Sequence, residues 1–355
     1  MPADPHSWER RPARDRYHED QEAGGREGAC RGWEGRLLVQ VLGVLAGLAI
    51  LPFAADQLVL GAARVARQLR VAPAIVGVII IGLGTSAPEF VVSGTAAATG
   101  NGGIAAGNLV GSNILNITLV LGVAALAGTV SASSTVINRE VFVSTAAVAL
   151  FAAAMLIGLN LWTGFLLCAG AVIAITVLVR WARTDQNNLA VTEQAVEFTT
   201  ADPDPRHRAG REIVRTAAGL AGVLFAAQLL VTNAAAIATR FGVPQLIIGA
   251  TLVALGTSVP ELVAAMQAQR RGETDLLIGN VFGSNMFNSL LGGGLVGILT
   301  GPGDSVSIRT VLVLAMFATT ALAWLLLRRD LRLTTAEAVL LLVGYTATLP
   351  LILTS

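Results

Sequence analysis

Long apolar blocks, separated by short polar joints, run along the chain from residue 37 to residue 353. They predict helices over 37–65, 73–99, 103–127, 139–158, 160–182, 212–240, 244–269, 274–299, 308–328 and 333–353. Each is close to or above the roughly 20 apolar residues that a helix needs to cross a bilayer. The shortest joints, Gly100-Asn101-Gly102-Gly103 and Gly158-Leu159-Asn160, suit tight turns. Five predicted spans precede a polar stretch at 183–211 and five follow it. An odd number per half makes the second half insert upside down relative to the first. The expected division is a polar, disordered tail over 1–36, a first transmembrane repeat over 37–182, a linker over 183–211 and a second repeat over 212–353. The tail mixes seven arginines with eight acidic residues. It has no apolar core of the kind a signal peptide carries, and its charge-rich composition is that of a disordered segment.

Composition agrees with an all-α polytopic membrane protein of about ten transmembrane helices. Of the 355 residues, 54% are hydrophobic and 13% charged, too much apolar surface for a soluble core to hide. The net charge of +1 gives no reason to expect a nucleic-acid partner. Every basic side chain apart from the three histidines is arginine, and these gather on one set of alternate joints, for example Arg64, Arg67, Arg139, Arg180, Arg270, Arg271, Arg328 and Arg329. The other set holds Arg240 and Arg309. By the positive-inside rule the 183–211 linker is expected to be cytoplasmic and both termini extracytoplasmic, in a cell membrane. Cys30 and Cys168 supply neither a disulfide framework nor a metal-ligating cluster. Cys168 and the Trp162, Trp181 and Trp324 rings read as packing or interfacial anchors.

Within the apolar blocks an acidic motif occurs twice, as Gly84-Thr85-Ser86-Ala87-Pro88-Glu89 and Gly256-Thr257-Ser258-Val259-Pro260-Glu261. Glu89 and Glu261 lie 172 residues apart, and the same offset relates Gly77 to Gly249, Asn108 to Asn280, Ser112 to Ser284, Asn113 to Asn285 and Asn116 to Asn288. A gap-free match over this length is an internal repeat. A carboxylate in the membrane is costly, and by default it marks a functional site. Gly82, Gly84, Pro88, Gly256 and Pro260 place a helix break beside each glutamate, a feature tolerated only where the backbone is buried in protein or lines a wet cavity. Two carboxylates, the hydroxyls of Thr85, Ser86, Thr257 and Ser258, and freed carbonyls make an all-oxygen environment. Such a donor set suits hard cations such as calcium, sodium or magnesium. Ser112 with Asn116, and Ser284 with Asn288, are spaced i, i+4 and face one side of their helices, where they can complete the shell.

Plainer roles compete at several positions. Ser112 and Ser284, flanked by glycine, also fit close helix packing. Asn108, Asn113, Asn280 and Asn285 fit interhelical hydrogen bonds at least as well as ligation. Asp56, matched in the other repeat by Gln228, reads as a helix-end or gate-side contact rather than a cation ligand. Enzymatic catalysis is not expected, because His6, His18 and His207 all lie in polar segments and no HExxH or intramembrane Asp pair exists. A channel could use the same oxygens as a filter, whereas the inverted repeat favours alternating access.

The paired stretches GTSAPE with GNLVGSNILN and GTSVPE with GNVFGSNMFN resemble the two α repeats of the sodium/calcium exchanger family, in its prokaryotic form, over residues 37–353. The resemblance implies a secondary active antiporter that exchanges calcium for sodium at a midplane site, with the first and sixth spans sliding as a gate. It implies cation ligands at Thr85, Ser86, Glu89, Ser112 and Asn116 and at Thr257, Ser258, Glu261, Ser284 and Asn288, with backbone oxygens at Gly82 and Ala254 offered to sodium. Many family members carry Asp where this chain has Asn288. The site would then hold two formal negative charges, which opens a proton-coupled calcium/cation antiporter as the alternative. The expected partners are calcium and sodium, with protons as the competing coupling ion, and the lipid bilayer. No cofactor, obligatory protein partner or calcium-sensing module is expected.

Overall fold

The structure, a computed structural model, describes residues 13–69, 72–185, 205–242, 254–301 and 303–353. The first half contains α1 (Ala13–Leu69), α2 (Pro73–Thr85), α3 (Ala87–Ala98), α4 (Gly102–Ala127), α5 (Ser134–Ile157) and α6 (Leu161–Asp185). The second contains α7 (Pro205–Arg240), α8 (Ala254–Thr257), α9 (Val259–Arg270), α10 (274–300), α11 (Thr310–Asp330) and α12 (Thr335–Leu353). Helical structure falls at all ten predicted positions, although the first part of the seventh, 243–253, lies outside the described residues. Among the described residues six helices are long and apolar enough to cross a membrane, and the bent pair α2 and α3 makes a seventh if taken together. Together with outward-facing apolar side chains such as Phe53 and Ile157, both mostly exposed, this describes a multi-pass membrane protein.

Over 13–36 the backbone continues α1 as helix. The segment holds five arginines and four glutamates, which lose little freedom on entering a helix, alongside five glycines, which oppose one, and it extends a helix already nucleated by the apolar span that begins at Arg36. Residues 183–185 continue α6 and 205–211 open α7, while 186–204 of the expected linker lie outside the described residues.

Small residues set how closely the helices approach. The two long helices α1 and α7 run antiparallel with backbones in contact: a Cβ at Gly219 would lie 2.5 Å from the backbone nitrogen of Leu58, and one at Gly47 would lie 2.9 Å from the carbonyl oxygen of Ala226. Arg64 of α1 and Arg215 of α7 both bond Glu212, at 3.2 and 3.1 Å. At the heart of the molecule α2 crosses α10 just as closely. A Cβ at Gly77 would meet the Leu276 carbonyl at 2.5 Å, and one at Gly279 would collide with the carbonyl of Ala74. This is the small-residue packing that membrane helices use in place of a hydrophobic driving force. Cys168 packs against Gly294 where α6 meets α10, which bears out its role as a packing residue.

Short pairings close the two ends. β1 (Val130–Ser131) and β2 (Arg332–Leu333) pair antiparallel beside the arginine-rich joints, and Leu159 bridges Val306 at the other end. Arg139 stacks over Trp181 and Arg328 over Trp324, at 5.6 and 5.4 Å from the ring centres. Both rings lie near helix ends, where amphipathic aromatic side chains favour the membrane boundary.

Candidate cation site

Each glutamate sits just beyond a break in its helix. After Thr85 the backbone of Ser86 leaves helical geometry (φ −79°, ψ 4°), and the axis turns by 45° into α3. Ser258 does the same between α8 and α9 (φ −90°, ψ 3°). The prolines explain the position. Pro88 and Pro260 have no N–H to give the carbonyl four residues back and stand in the first turn of the next helix, where that lack is tolerated. Glu89 and Glu261 follow directly in that first turn, where the partial positive charge of the helix start favours an anion. The facing helices α4 and α10 loosen into π-helical turns at Asn116–Val120 and Asn288–Gly292, and α2 does so at Gly77–Gly82. Such turns often mark functional positions. Here two of them begin at the very asparagines named as ligands.

The repeats meet reciprocally. Ser86 of the first motif donates to Glu261 Oε1 at 3.2 Å, and Ser258 of the second donates to Glu89 Oε1 at 3.4 Å. Ser112 reaches the same Glu89 oxygen at 3.5 Å. Thr85 Oγ1 donates to the Ile81 carbonyl at 2.9 Å and lies 3.4 Å from Ser284 Oγ, which donates to the Gly82 carbonyl at 3.2 Å. Asn116 Nδ2 donates to Asn285 Oδ1 at 3.1 Å. Both glutamates are fully buried, as are Thr85, Ser86, Asn116, Ser284 and Asn288, while Ser112, Thr257 and Ser258 are nearly so. Ten of the twelve expected residues are therefore buried in the zone where the four motif stretches converge. Gly82 presents its carbonyl to Ser284 beside them. Ala254 opens α8 at the edge of the described residues, so the use of its carbonyl is not part of the described geometry.

The electrostatics are unbalanced. Glu89 Oε2, Glu261 Oε2, Asn116 Oδ1, Asn113 Oδ1 and both polar atoms of the Asn288 amide are buried without a hydrogen-bond partner. Among the described residues no arginine forms an ion pair with either glutamate. Buried polar groups are normally satisfied, and a buried charge without a partner is costly. Oxygens left over in one place are what a hard cation would use. No cluster of three or more His, Cys, Asp or Glu side chains occurs among the described residues, so neutral oxygens must supply most of any coordination shell.

Four asparagines take structural bonds. Asn108 donates to Ser93 Oγ at 2.9 Å and to the Glu89 carbonyl at 3.4 Å, and its mate Asn280 approaches the Glu261 carbonyl at 3.5 Å. Asn113 donates to Ser289 at 2.9 Å, and Asn285 to the Asn113 carbonyl at 2.9 Å. Ser93 and Ser289, both fully buried, went unnoticed in the sequence. Ser93 stands four residues after Glu89 and so shares its helix face, a spacing that could have flagged it.

The chain is similar to known proteins over most of its length. The sodium/calcium exchanger protein family matches the chain over residues 39–180 and again over 212–353. CaxA of Alkalimonas amylolytica, a proposed antiporter, is 38% identical over 87% of this chain and 97% of its own length. The sodium/calcium exchanger MaX1 of Methanosarcina acetivorans is 28% identical over 74% of this chain and 83% of its own. Among solved structures, the sodium-calcium exchanger NCX_Mj superposes with a TM-score of 0.75 at 28% identity, covering 88% of this chain and 99% of that one. The chain thus belongs to the sodium/calcium exchanger family, a family of membrane cation antiporters.

Proposed function

We propose that the protein exchanges calcium for sodium by alternating access at one site built from both repeats. The observation that carries this reading is the reciprocal burial of Glu89 and Glu261, each facing a serine of the other repeat and each with one oxygen left without a partner. Two carboxylate charges balance one calcium ion. Its shell of about 6 to 8 oxygens would be filled by Thr85, Ser86, Ser112, Asn116 and their mates Thr257, Ser258, Ser284 and Asn288. The Gly82 and Ala254 carbonyls serve sodium. Sodium and calcium then compete for overlapping oxygens, so that a loaded site closes readily and a half-loaded one leaves charge uncompensated. The arginine-rich joints and the 183–211 linker face the cytoplasm in this reading, and residues 37–182 and 212–353 form the two inverted repeats.

Protons are the competing coupling ion. Asn288 cannot titrate, and the two carboxylates have no cationic side chain to balance them, so a proton can neutralise either one as a metal ion would. Radioactive-calcium uptake into vesicles holding the purified protein separates the two, with sodium and pH gradients imposed in separate arms. Uptake driven by an outward sodium gradient is expected. Uptake driven only by the pH gradient would replace sodium with protons in the cycle, and no uptake in any arm would refute calcium transport.

A further inference from the structure

The two-fold relation that holds at the site breaks down at the ends of the helices that carry it. Asp56 of α1 accepts, through Oδ1, from Gln267 Nε2 at 2.7 Å and from Arg271 Nε and Nη2 at 2.8 and 2.5 Å. Gln267 lies in the last turn of α9 and Arg271 directly follows that helix. Nearer the end of α1, Arg67 bonds Glu273, in the joint between α9 and α10, at 2.5 Å. Two ion pairs and an amide thus tie a long helix to the far end of the helix that begins with Glu261. All of them lie on the arginine-rich face.

The matching positions 172 residues away carry none of these charges. Asp56 is matched by Gln228, Gln267 by Thr95, Arg271 by Thr99, Arg67 by Thr239 and Glu273 by Asn101. The bonds described for Gln228, Thr99 and Asn101 stay local. Gln228 is exposed and donates to Thr232 of its own helix at 2.9 Å, Thr99 donates to the Thr95 and Ala96 carbonyls, and Asn101 donates to Thr99. The ligand set is paired across the repeats, so cation binding does not require this difference. It bears instead on which face opens.

We propose that Asp56, Gln267 and Arg271, backed by Arg67 and Glu273, form a one-sided lock that holds the carrier closed at its arginine-rich face. The proposal rests on the alternating-access reading above. Opening that face separates Asp56 from Arg271, whereas opening the opposite face breaks no matching ion pair. Asp56 and Arg271 are 27% and 33% exposed. In such a partly wet crevice a hydrogen-bonded ion pair shifts an equilibrium by about three- to tenfold. The lock thus biases the resting protein toward the state open on the face away from the arginines, and it lowers the apparent affinity for calcium arriving at the arginine-rich face by up to the same factor.

The test reads conformation without requiring transport. Ala268, 2% exposed in the core cluster that α1 and α9 share, is replaced by cysteine in a chain whose Cys30 and Cys168 are serine. The rate at which a water-soluble maleimide labels it in detergent reports how often the buried cluster to which α1 and α9 both contribute opens to water. Asp56→Asn and Arg271→Gln are each expected to raise that rate about three- to tenfold, while the parent and Gln228→Ala stay alike. Combining Asp56→Arg with Arg271→Asp is expected to bring the rate back toward the parent's. Unchanged labelling in both neutralised variants, with each still monodisperse, overturns the lock; so does a charge exchange that leaves the site as open as the single variants. A parent that fails to move calcium in vesicles yet shows the expected labelling pattern refutes the exchange reading and leaves the lock standing.

Discussion

Glu89 and Glu261 share matched surroundings, while the helices that carry them, α3 and α9, end in unmatched ones. At the centre each carboxylate takes a serine of the opposite repeat, and Asn108 and Asn280 brace the two glutamate backbones in the same way. At the ends, Arg271 reaches Asp56 across to α1, whereas its mate Thr99 bonds back into its own helix. In the proposed exchange cycle, a site used from both sides constrains both copies to supply equivalent ligands. The helix ends contact only one face each, so their chemistry is free to diverge, and that divergence makes the two faces energetically unequal.

The sharpest way to break the central match is to neutralise each glutamate in turn. Glu89→Gln and Glu261→Gln should each cut calcium uptake by about a hundredfold or more, the cost of losing one buried charge from a shared shell. The two losses should be comparable. Near-normal uptake in either variant would mean that the halves do not build one site.

Packing gives a second contrast. Gly279→Val drives a side chain into the Ala74 carbonyl at the α2–α10 crossing and should destabilise the protein by about 1–3 kcal/mol or more. Gly103→Ala should be nearly silent, because no described atom lies within 4 Å of the Cβ it adds. Thermal unfolding in detergent compares them, and equal midpoints would contradict the packing account.

Adding charge on one side only sharpens the comparison further. Asn288→Asp places a third carboxylate among oxygens that already lack partners, and should lower the half-saturating calcium concentration by about three- to tenfold. Asn116→Asp tests the mate, whose Nδ2 already serves Asn285, so a smaller gain is expected there. An unchanged ion dependence in Asn288→Asp would put that position outside the transport site. The smallest effect belongs to Gln228→Ala, expected to change calcium half-saturation at either face by less than about twofold, because its visible bond is local and exposed.

Much of this was legible in the sequence because a bilayer simplifies it. Apolar block length gave most of the helix positions within a few residues, the start of α1 excepted, and Pro88 and Pro260 marked where the helices break. The repeat offset paired Glu89 with Glu261 before any geometry was known, and the i, i+4 spacing put Ser112 with Asn116 on one face. What could not be read was long-range. The lock joins Asp56 to Arg271, 215 residues later, and arginines at membrane ends read first as topology signals. Ser289 enters the network only through the crossing that brings it to Asn113. Over 13–36 charge mixing argues for disorder, while the Glu and Arg content also suits a helix grown from a stable neighbour.

Equilibrium binding of radioactive calcium to the purified protein, titrated with sodium, tests the shared site most directly. The account predicts a single calcium per chain, displaced competitively by sodium and lost in both Glu89→Gln and Glu261→Gln. Calcium binding that survives either substitution, or that sodium leaves undisturbed, would contradict it.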